Sequence, residues 1–141
     1  MPNMYHHFDS RLEHRAVGAA AVTSTTVLDT ITERAAQRTA YRTLVGIEAI
    51  KISANNEDYK LVAEVSNDGF STVEVAAILS LGATEVRQSG APDSAAGDTY
   101  EMLWTTEVNG VKYGESRLSL IAAGTSPSIT LFCHSTILGN V

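Results

Sequence analysis

The chain has 141 residues, of which 44% are hydrophobic and only 18% are charged, so it is long enough to bury the core of one domain. Its formal net charge of -6 argues against nucleic acid or an anionic membrane as the main partner. The single cysteine excludes an intrachain disulfide, and no apolar run approaches the roughly 18 residues of a membrane-spanning helix. A surface poor in charge fits either a protein that packs against other proteins or an ordinary small β domain.

The N-terminal stretch lacks a clean structural period. Its proline, neighbouring histidines and mixed charges are followed by a run of small residues, so we predict an extended N-terminal arm over residues 1–21. Within this arm, residues 12–17 could form a short helix. Residues 22–141 are then predicted to form one domain, because neither an internal repeat nor a long linker divides them.

The first half of this domain carries strand patterns. Residues 22–30 are rich in Thr and Val, which favours a strand. Residues 42–54 and 59–65 alternate in hydrophobicity on either side of the polar turn 55–58, which predicts a hairpin. Residues 30–42 are ambiguous: a capping-box pattern and a run of good helix formers favour a short helix, but a long surface loop fits equally well.

The second half contains the clearest turn signals. Residues 73–81 are nearly all apolar and fit either a helix or a buried strand, although the neighbouring strands favour a strand. Residues 88–98 are the most loop-like stretch of the chain. Asn109 and Gly110 predict a tight type I′ hairpin between the strands on either side of them, because both residues tolerate positive φ.

The last stretch, residues 124–137, begins with a Gly-Thr-Ser-Pro turn and continues as a strand with a period of two. One predicted face comprises Ile129, Leu131, Cys133, Ser135 and Ile137. The other comprises Thr130, Phe132, His134, Thr136 and Leu138. The whole chain therefore has about seven or eight strands and no regular alternation of strands with helices. This pattern predicts an all-β fold, a jelly-roll-like antiparallel β-sandwich.

Few residues combine in a pattern that indicates catalysis. The adjacent Cys133 and His134 point to opposite faces of the last strand, so they cannot form a nucleophile–base pair, and Ser135 is no better placed. The sequence contains no motif for phosphate or dinucleotide binding. The neighbouring carboxylates Glu57 and Asp58 fit a solvated turn better than acid–base catalysis. We therefore predict that the protein is not an enzyme.

Two further groups of side chains could bind a ligand, but each has a simpler interpretation. Residues of metal-ligating types cluster in the arm; they are His6, His7, Asp9 and His14. They lack the fixed geometry that a zinc site needs, so a polar arm is favoured. Tyr100 and Trp104 share one face of a strand and could form a platform for a carbohydrate, although packing in the core is favoured. We therefore predict no metal, no cofactor and no catalytic residue.

Three stretches resemble the small jelly-roll proteins that decorate or cement the capsids of tailed phages. They are residues 59–71, a strand that runs into a Ser-Asn-Asp loop with an aromatic residue; residues 75–82; and residues 117–130, whose Gly-Thr-Ser-Pro-Ser-Ile turn is the most distinctive. The Thr-rich strand over 22–29 is also similar to the first strand of that group. The similarity in order and spacing covers most of the predicted domain.

This resemblance implies a non-enzymatic virion protein on the outer capsid surface, made in the host cytoplasm. Copies would bridge neighbouring subunits of the major capsid protein as dimers or trimers and so stabilise an icosahedral shell, with neither nucleic acid nor a membrane as partner. The arm could extend across a neighbouring subunit and order on binding. Its expected capsid-contact residues are Met4, Tyr5, His6, His7, Phe8, Arg11 and Arg15. The alternative is a β-sandwich module on a virion surface that binds a carbohydrate or another ligand.

Overall fold

The computed structural model describes residues 12–140 of the chain, except for the side chains of residues 32–35, 139 and 140. Within this part the chain forms nine strands and no α-helix. The strands are β1 (Glu13–Arg15), β2 (Thr26–Gln37), β3 (Thr39–Ile50), β4 (Asp58–Ser66), β5 (Glu74–Gly82), β6 (Thr99–Thr105), β7 (Glu107–Val108), β8 (Val111–Ala123) and β9 (Ile129–Asn140). A 3₁₀ turn over Gln88–Gly90 lies in the connection between β5 and β6.

The strands form two antiparallel sheets. One has the order β1-β9-β3-β6 and the other the order β2-β8-β4-β5, while the short strand β7 pairs with the beginning of β8. Apart from β7, the first strand pairs with the last, the second with the second last, and so on inwards to β4 and β5. This nested pairing, folded over into two sheets, is the connectivity of a jelly roll. The predicted all-β antiparallel sandwich is therefore confirmed.

The core lies between the two sheets and is made by alternate residues of their strands. The β2-β8-β4-β5 sheet contributes Tyr59, Leu61, Ala63, Val65, Leu81, Leu118 and Leu120. The β1-β9-β3-β6 sheet contributes Tyr41, Val45, Ile47, Met102, Trp104, Ile129, Leu131 and Cys133. The rings of Tyr41 and Trp104 stack with their centroids 4.6 Å apart, so an aromatic pair occupies the core where β3 pairs with β6.

The predicted alternation of the last strand is confirmed as far as Ser135. Ile129, Leu131 and Cys133 are fully buried, and Ser135 is 6% exposed. Ile137, which was predicted on the same face, is half exposed. Ile137 still pairs in register with the buried Tyr41, and the register of β9 with β3 shifts just beyond it, between Tyr41 and Ala40, so Ile137 is the last residue of β9 before the pairing becomes irregular.

The strongest turn signals are confirmed as well. Asn109 and Gly110 have φ angles of 53° and 81°, as a type I′ turn requires. Gly124 has a φ of 109°, and a Cβ atom at this position would lie 2.5 Å from the carbonyl oxygen of Asn56. The absence of a side chain at Gly124 therefore lets the β8–β9 turn pack directly on the β3–β4 loop. Residues 73–81, for which helix and strand were both considered, lie largely in β5.

Two local predictions are wrong. Residues 30–42 form neither a helix nor a loop but continue β2 and begin β3, and β2 pairs with β8 through contacts such as Thr30 opposite Arg117. Pairing with distant residues overrides the local helix preference here, because strand formation depends strongly on tertiary contacts. The short helix over 12–17 is replaced by β1, which pairs with β9. Residues 13–15 thus lie in a sheet of the sandwich, although the sequence placed them in the arm.

Candidate functional site

Most of the predicted capsid-contact residues lie outside the described part of the chain. They are Met4, Tyr5, His6, His7, Phe8 and Arg11. Asp9, which was grouped with three histidines as a metal-ligating type, also lies there. Arg15 is half-buried in β1, and its guanidinium donates a hydrogen bond to the carbonyl oxygen of Ala20. Between residues 12 and 140, no three His, Cys, Asp or Glu side chains are grouped in a way that could hold a metal ion.

A chain of five polar side chains crosses the inside of the sandwich. His14 of β1 forms hydrogen bonds with Asp29 of β2 (Nδ1 to Oδ2, 2.9 Å) and with Ser135 of β9 (Nε2 to Oγ, 2.6 Å). Ser135 Oγ is 2.7 Å from Oγ1 of Thr43 in β3, and Thr43 accepts a hydrogen bond of 2.9 Å from Nε1 of Trp104 in β6. The four strands of one sheet and the first strand of the other therefore meet in this polar chain.

A single arrangement of hydrogens satisfies the polar chain when His14 is neutral and Asp29 is ionised. Trp104 can only donate, so Thr43 accepts from it and donates its own hydroxyl hydrogen to Ser135. Ser135 donates in turn to Nε2 of His14, and Nδ1–H of His14 donates to the carboxylate of Asp29. Burial lowers the pKa of His14 below 6.5 despite the opposing effect of Asp29, so the neutral imidazole is favoured.

Asp29, His14 and Ser135 have the residue types of a hydrolytic triad, but the arrangement is closed to a substrate. Ser135 is only 6% exposed, and its hydroxyl is shared between His14 and Thr43. The neighbouring Cys133 is no better nucleophile, because burial raises the pKa of its thiol to about 12. The polar chain therefore has a structural role, which is to join β1 to both sheets.

This polar chain cannot be predicted from the sequence, because its members are far apart along it. His14 and Ser135 are separated by 121 positions, and only the pairing of β1 with β9 brings them together. One signal could have pointed to it: Ser135 shares its predicted face with Leu131 and Cys133, which places a hydroxyl in the core. A buried hydroxyl needs a hydrogen-bond partner from elsewhere in the fold.

The solvated turn expected at Glu57 is instead a buried ion pair. The Glu57 side chain has no exposed surface; its Oε2 is 2.7 Å from Nζ of Lys51 and accepts a hydrogen bond of 3.0 Å from the amide of Ala54. Burial alone would raise the pKa of this carboxyl, but the hydrogen bonds lower it to about 2, so the group stays ionised. Lys51 also donates to the carbonyl oxygen of Thr125 at 2.7 Å. Lys51, which is held by Glu57, therefore ties the β3–β4 loop to the β8–β9 turn.

An apolar row crosses the outer face of the β2-β8-β4-β5 sheet. Its register partners on the four successive strands are Val27, Ser119, Val62 and Ile78. Val62 alternates with core residues of β4 and so lies on the outer side of the sheet, where neighbouring side chains leave it only 2% exposed, whereas its partner Ile78 is 51% exposed. Val75 and Ile121 are exposed at neighbouring register positions of the same face. We call these apolar residues together the apolar face: Val27, Val62, Val75, Ile78 and Ile121.

Ion pairs flank the apolar face on both sides of Val62. On one side, Nε of Arg117 donates to Oε1 of Glu64 at 2.8 Å, and the guanidinium lies 4.4 Å from the centroid of the Phe70 ring. On the other side, Lys60 pairs with Asp58. An apolar centre surrounded by charged groups is the usual composition of a protein–protein contact surface.

The aromatic platform considered on β6 is not exposed. Trp104 is 4% exposed, which confirms its predicted place in the core. Tyr100 is half-buried, and its hydroxyl lies 3.1 Å from both Oγ of Ser94 and Oδ2 of Asp98. A shallow cavity of about 370 Å³ borders Tyr100 and Arg87, but Arg87 already donates to two backbone carbonyls there. Carbohydrate binding therefore stays a prediction without an exposed tryptophan to support it.

No family model matches the chain, and comparisons with curated proteins and with solved structures find no match either. Residues 12–140 contain no helix that is long and apolar enough to cross a membrane. Two observations therefore bear on function: the apolar face and the resemblance of the sequence to capsid decoration proteins.

Proposed function

We propose that the protein is a non-enzymatic virion component that decorates and cements an icosahedral phage capsid from the outside by bridging subunits of the major capsid protein. The observation that carries this proposal is the apolar face. Antiparallel sheets that are open to water on one side normally present polar residues there. Here four exposed aliphatic side chains share that side of one sheet: Val27, Val75, Ile78 and Ile121.

The position of the resemblance in the fold supports the capsid as the partner. Residues 59–71 contain most of β4, residues 75–82 lie in β5, and residues 117–130 contain the second half of β8. These are three of the four strands that carry the apolar face. The three stretches on which the resemblance mainly rests therefore lie largely in strands that present this surface.

The size of the apolar face suits a contact that is repeated many times. Burying one half-exposed valine or isoleucine contributes on the order of 1 kcal/mol, so the face alone gives a modest affinity. Copies placed by the symmetry of a shell act together, and dimers or trimers of the chain would present two or three such faces at once. Modest contacts of this kind can reinforce a shell without any one of them being tight.

Co-sedimentation of the purified protein with undecorated capsids tests this proposal. The variant Ile78→Lys places a charge in the apolar face and should weaken binding at least about tenfold, because the ammonium group would be desolvated at the contact. Leu103→Lys is the matched control, since Leu103 is 60% exposed on the outer side of the other sheet. It should bind like the wild type. Equal binding by both variants would overturn the role of the apolar face, and a wild-type protein that does not bind would overturn the capsid function.

A further inference from the structure

We propose that His14 is a pH-sensitive latch, which holds β1 in the sandwich near neutral pH and releases it when the imidazole is protonated. This latch does not depend on the capsid function, because it concerns only how the first described strand is held. Leu12, which directly precedes β1, packs against the core, so release of β1 would also loosen this contact.

The strand β1 has few attachments other than His14. It is three residues long and pairs with β9 alone. Glu13 is exposed and Arg15 is half-buried, whereas His14 is only 4% exposed. His14 is thus the one buried side chain of the strand. Its two hydrogen bonds reach β9 in the same sheet and β2 in the opposite sheet.

Protonation of His14 breaks the order of donors and acceptors in the polar chain. A proton on Nε2 turns this atom from an acceptor into a donor toward Ser135. Ser135 Oγ can then accept from both His14 and Thr43, or Ser135 can donate to Thr43, which already accepts from Trp104. In either case one hydroxyl hydrogen, that of Ser135 or that of Thr43, has no acceptor within the polar chain. A buried donor without a partner disfavours the latched state.

The charges that face His14 from neighbouring strands do not stabilise its protonated form enough to compensate for burial. Asp29 of β2 favours the imidazolium, but its side chain is 31% exposed and its effect is smaller than that of burial. On β9, a charge on His134 would oppose a charge on His14. The Cys133 thiol on β9 stays neutral, because burial raises its pKa to about 12.

Among the described residues, the other groups to consider near His14 are Glu13 and Arg15 on its own strand and two uncharged side chains. Glu13 is exposed, and Arg15 lies at the edge where β1 pairs with β9. The strands β3 and β6 contribute only Thr43 and Trp104 to the polar chain, and neither titrates near neutral pH. Burial therefore decides the direction in which the pKa of His14 moves.

The direction of the pH effect follows from the difference between the pKa of His14 in the buried, latched state and in the solvated, released state. In the released state, a solvated His14 takes up a proton near pH 6.5, whereas in the latched state it does so only at lower pH. The latch is fully effective above pH 6.5. Between pH 6.5 and the pKa of the latched state, the equilibrium constant for latching falls, by at most about tenfold for each pH unit.

Hydrogen exchange of the full chain, followed residue by residue by NMR, measures the opening of β1. After correction for the intrinsic exchange rate, the protection factors of β1 amides should fall by at most about tenfold per pH unit between pH 6.5 and the lower pKa of the latched state, while those of β4 in the core are retained. Protection in β1 that does not change with pH would overturn the latch. Loss of protection in β1 and β4 together would also overturn it, because it would indicate global unfolding.

A pair of variants separates the latch from general acid sensitivity. His14→Gln keeps hydrogen-bonding groups but cannot be charged, so the pH dependence of β1 protection should vanish. His134→Gln is the matched control on the neighbouring strand, and it should keep the pH dependence; the opposite pattern would overturn the proposal. If the His14 variant does not fold, NMR titration of the wild-type imidazole decides, since a midpoint below 6.5 is expected and a midpoint at or above 6.5 refutes the latch.

Discussion

Replacement of Gly124 by alanine tests how closely the β8–β9 turn packs on the β3–β4 loop. The added Cβ would lie 2.5 Å from the carbonyl oxygen of Asn56 and 2.8 Å from Cα of Glu57, and backbone atoms of this kind cannot rotate away. The alanine would also have to keep a φ of 109°, which costs about 1–2 kcal/mol. With the ~1–3 kcal/mol typical of overpacking, we expect the free energy of unfolding to fall by about 2–5 kcal/mol.

Urea denaturation measures this loss, and Trp104 is a suitable fluorescent probe because it is buried and is the only tryptophan. Gly97→Ala is the matched control: its φ is 92°, but no atom lies within 4 Å of the added Cβ. The control should lose only the backbone term of about 1–2 kcal/mol. Equal losses in the two variants would refute the reasoning, because they would show that contact with the β3–β4 loop adds nothing.

Three further experiments test the contacts of other buried side chains. The wild type should lose stability between pH 4.5 and about 2, because the Glu57 carboxylate stabilises the fold above pH 4.5 and ceases to do so as the pH falls to its folded pKa. In Glu57→Gln this loss should be smaller. Denaturation curves over a pH series that show the same loss in the variant and the wild type would contradict the prediction. In Thr43→Val, the N–H of Trp104 loses its acceptor, so the free energy of unfolding should fall by about 1–3 kcal/mol; a neutral effect in urea would argue against the polar chain. Cys133 should react with a thiol reagent only after unfolding, because it is buried and its pKa is about 12; rapid labelling of the native protein would disagree.

The strands could largely be predicted from the sequence because alternation is a local signal. Buried residues such as Leu61 and Ala63 already show which side of β4 faces the core. Asn109 and Gly110 identify their turn by conformational preference alone. Residues 30–42 could not be predicted in this way, since they lie in strands whose partners, such as Arg117 opposite Thr30, are distant in the sequence.

The buried polar groups could not be predicted because their partners are set by the tertiary fold. The sequence around His14 predicts a polar arm, because only the pairing of β1 with β9 places this side chain inside the sandwich. Glu57 looked solvated, because nothing local shows that Lys51 and a loop amide surround its carboxylate. The apolar face was only partly visible: the outward position of Val62 follows from alternation, but its neighbour Ile78 is fixed only by the register of β4 with β5.

The most direct test of the capsid proposal is quantitative mass spectrometry of intact particles purified from the source of this sequence. If the protein cements a shell, it should be present in a fixed ratio to the major capsid protein, and that ratio should correspond to a set of icosahedrally equivalent sites. Absence of the protein from purified particles would contradict the account, and so would trace amounts that vary from one preparation to the next.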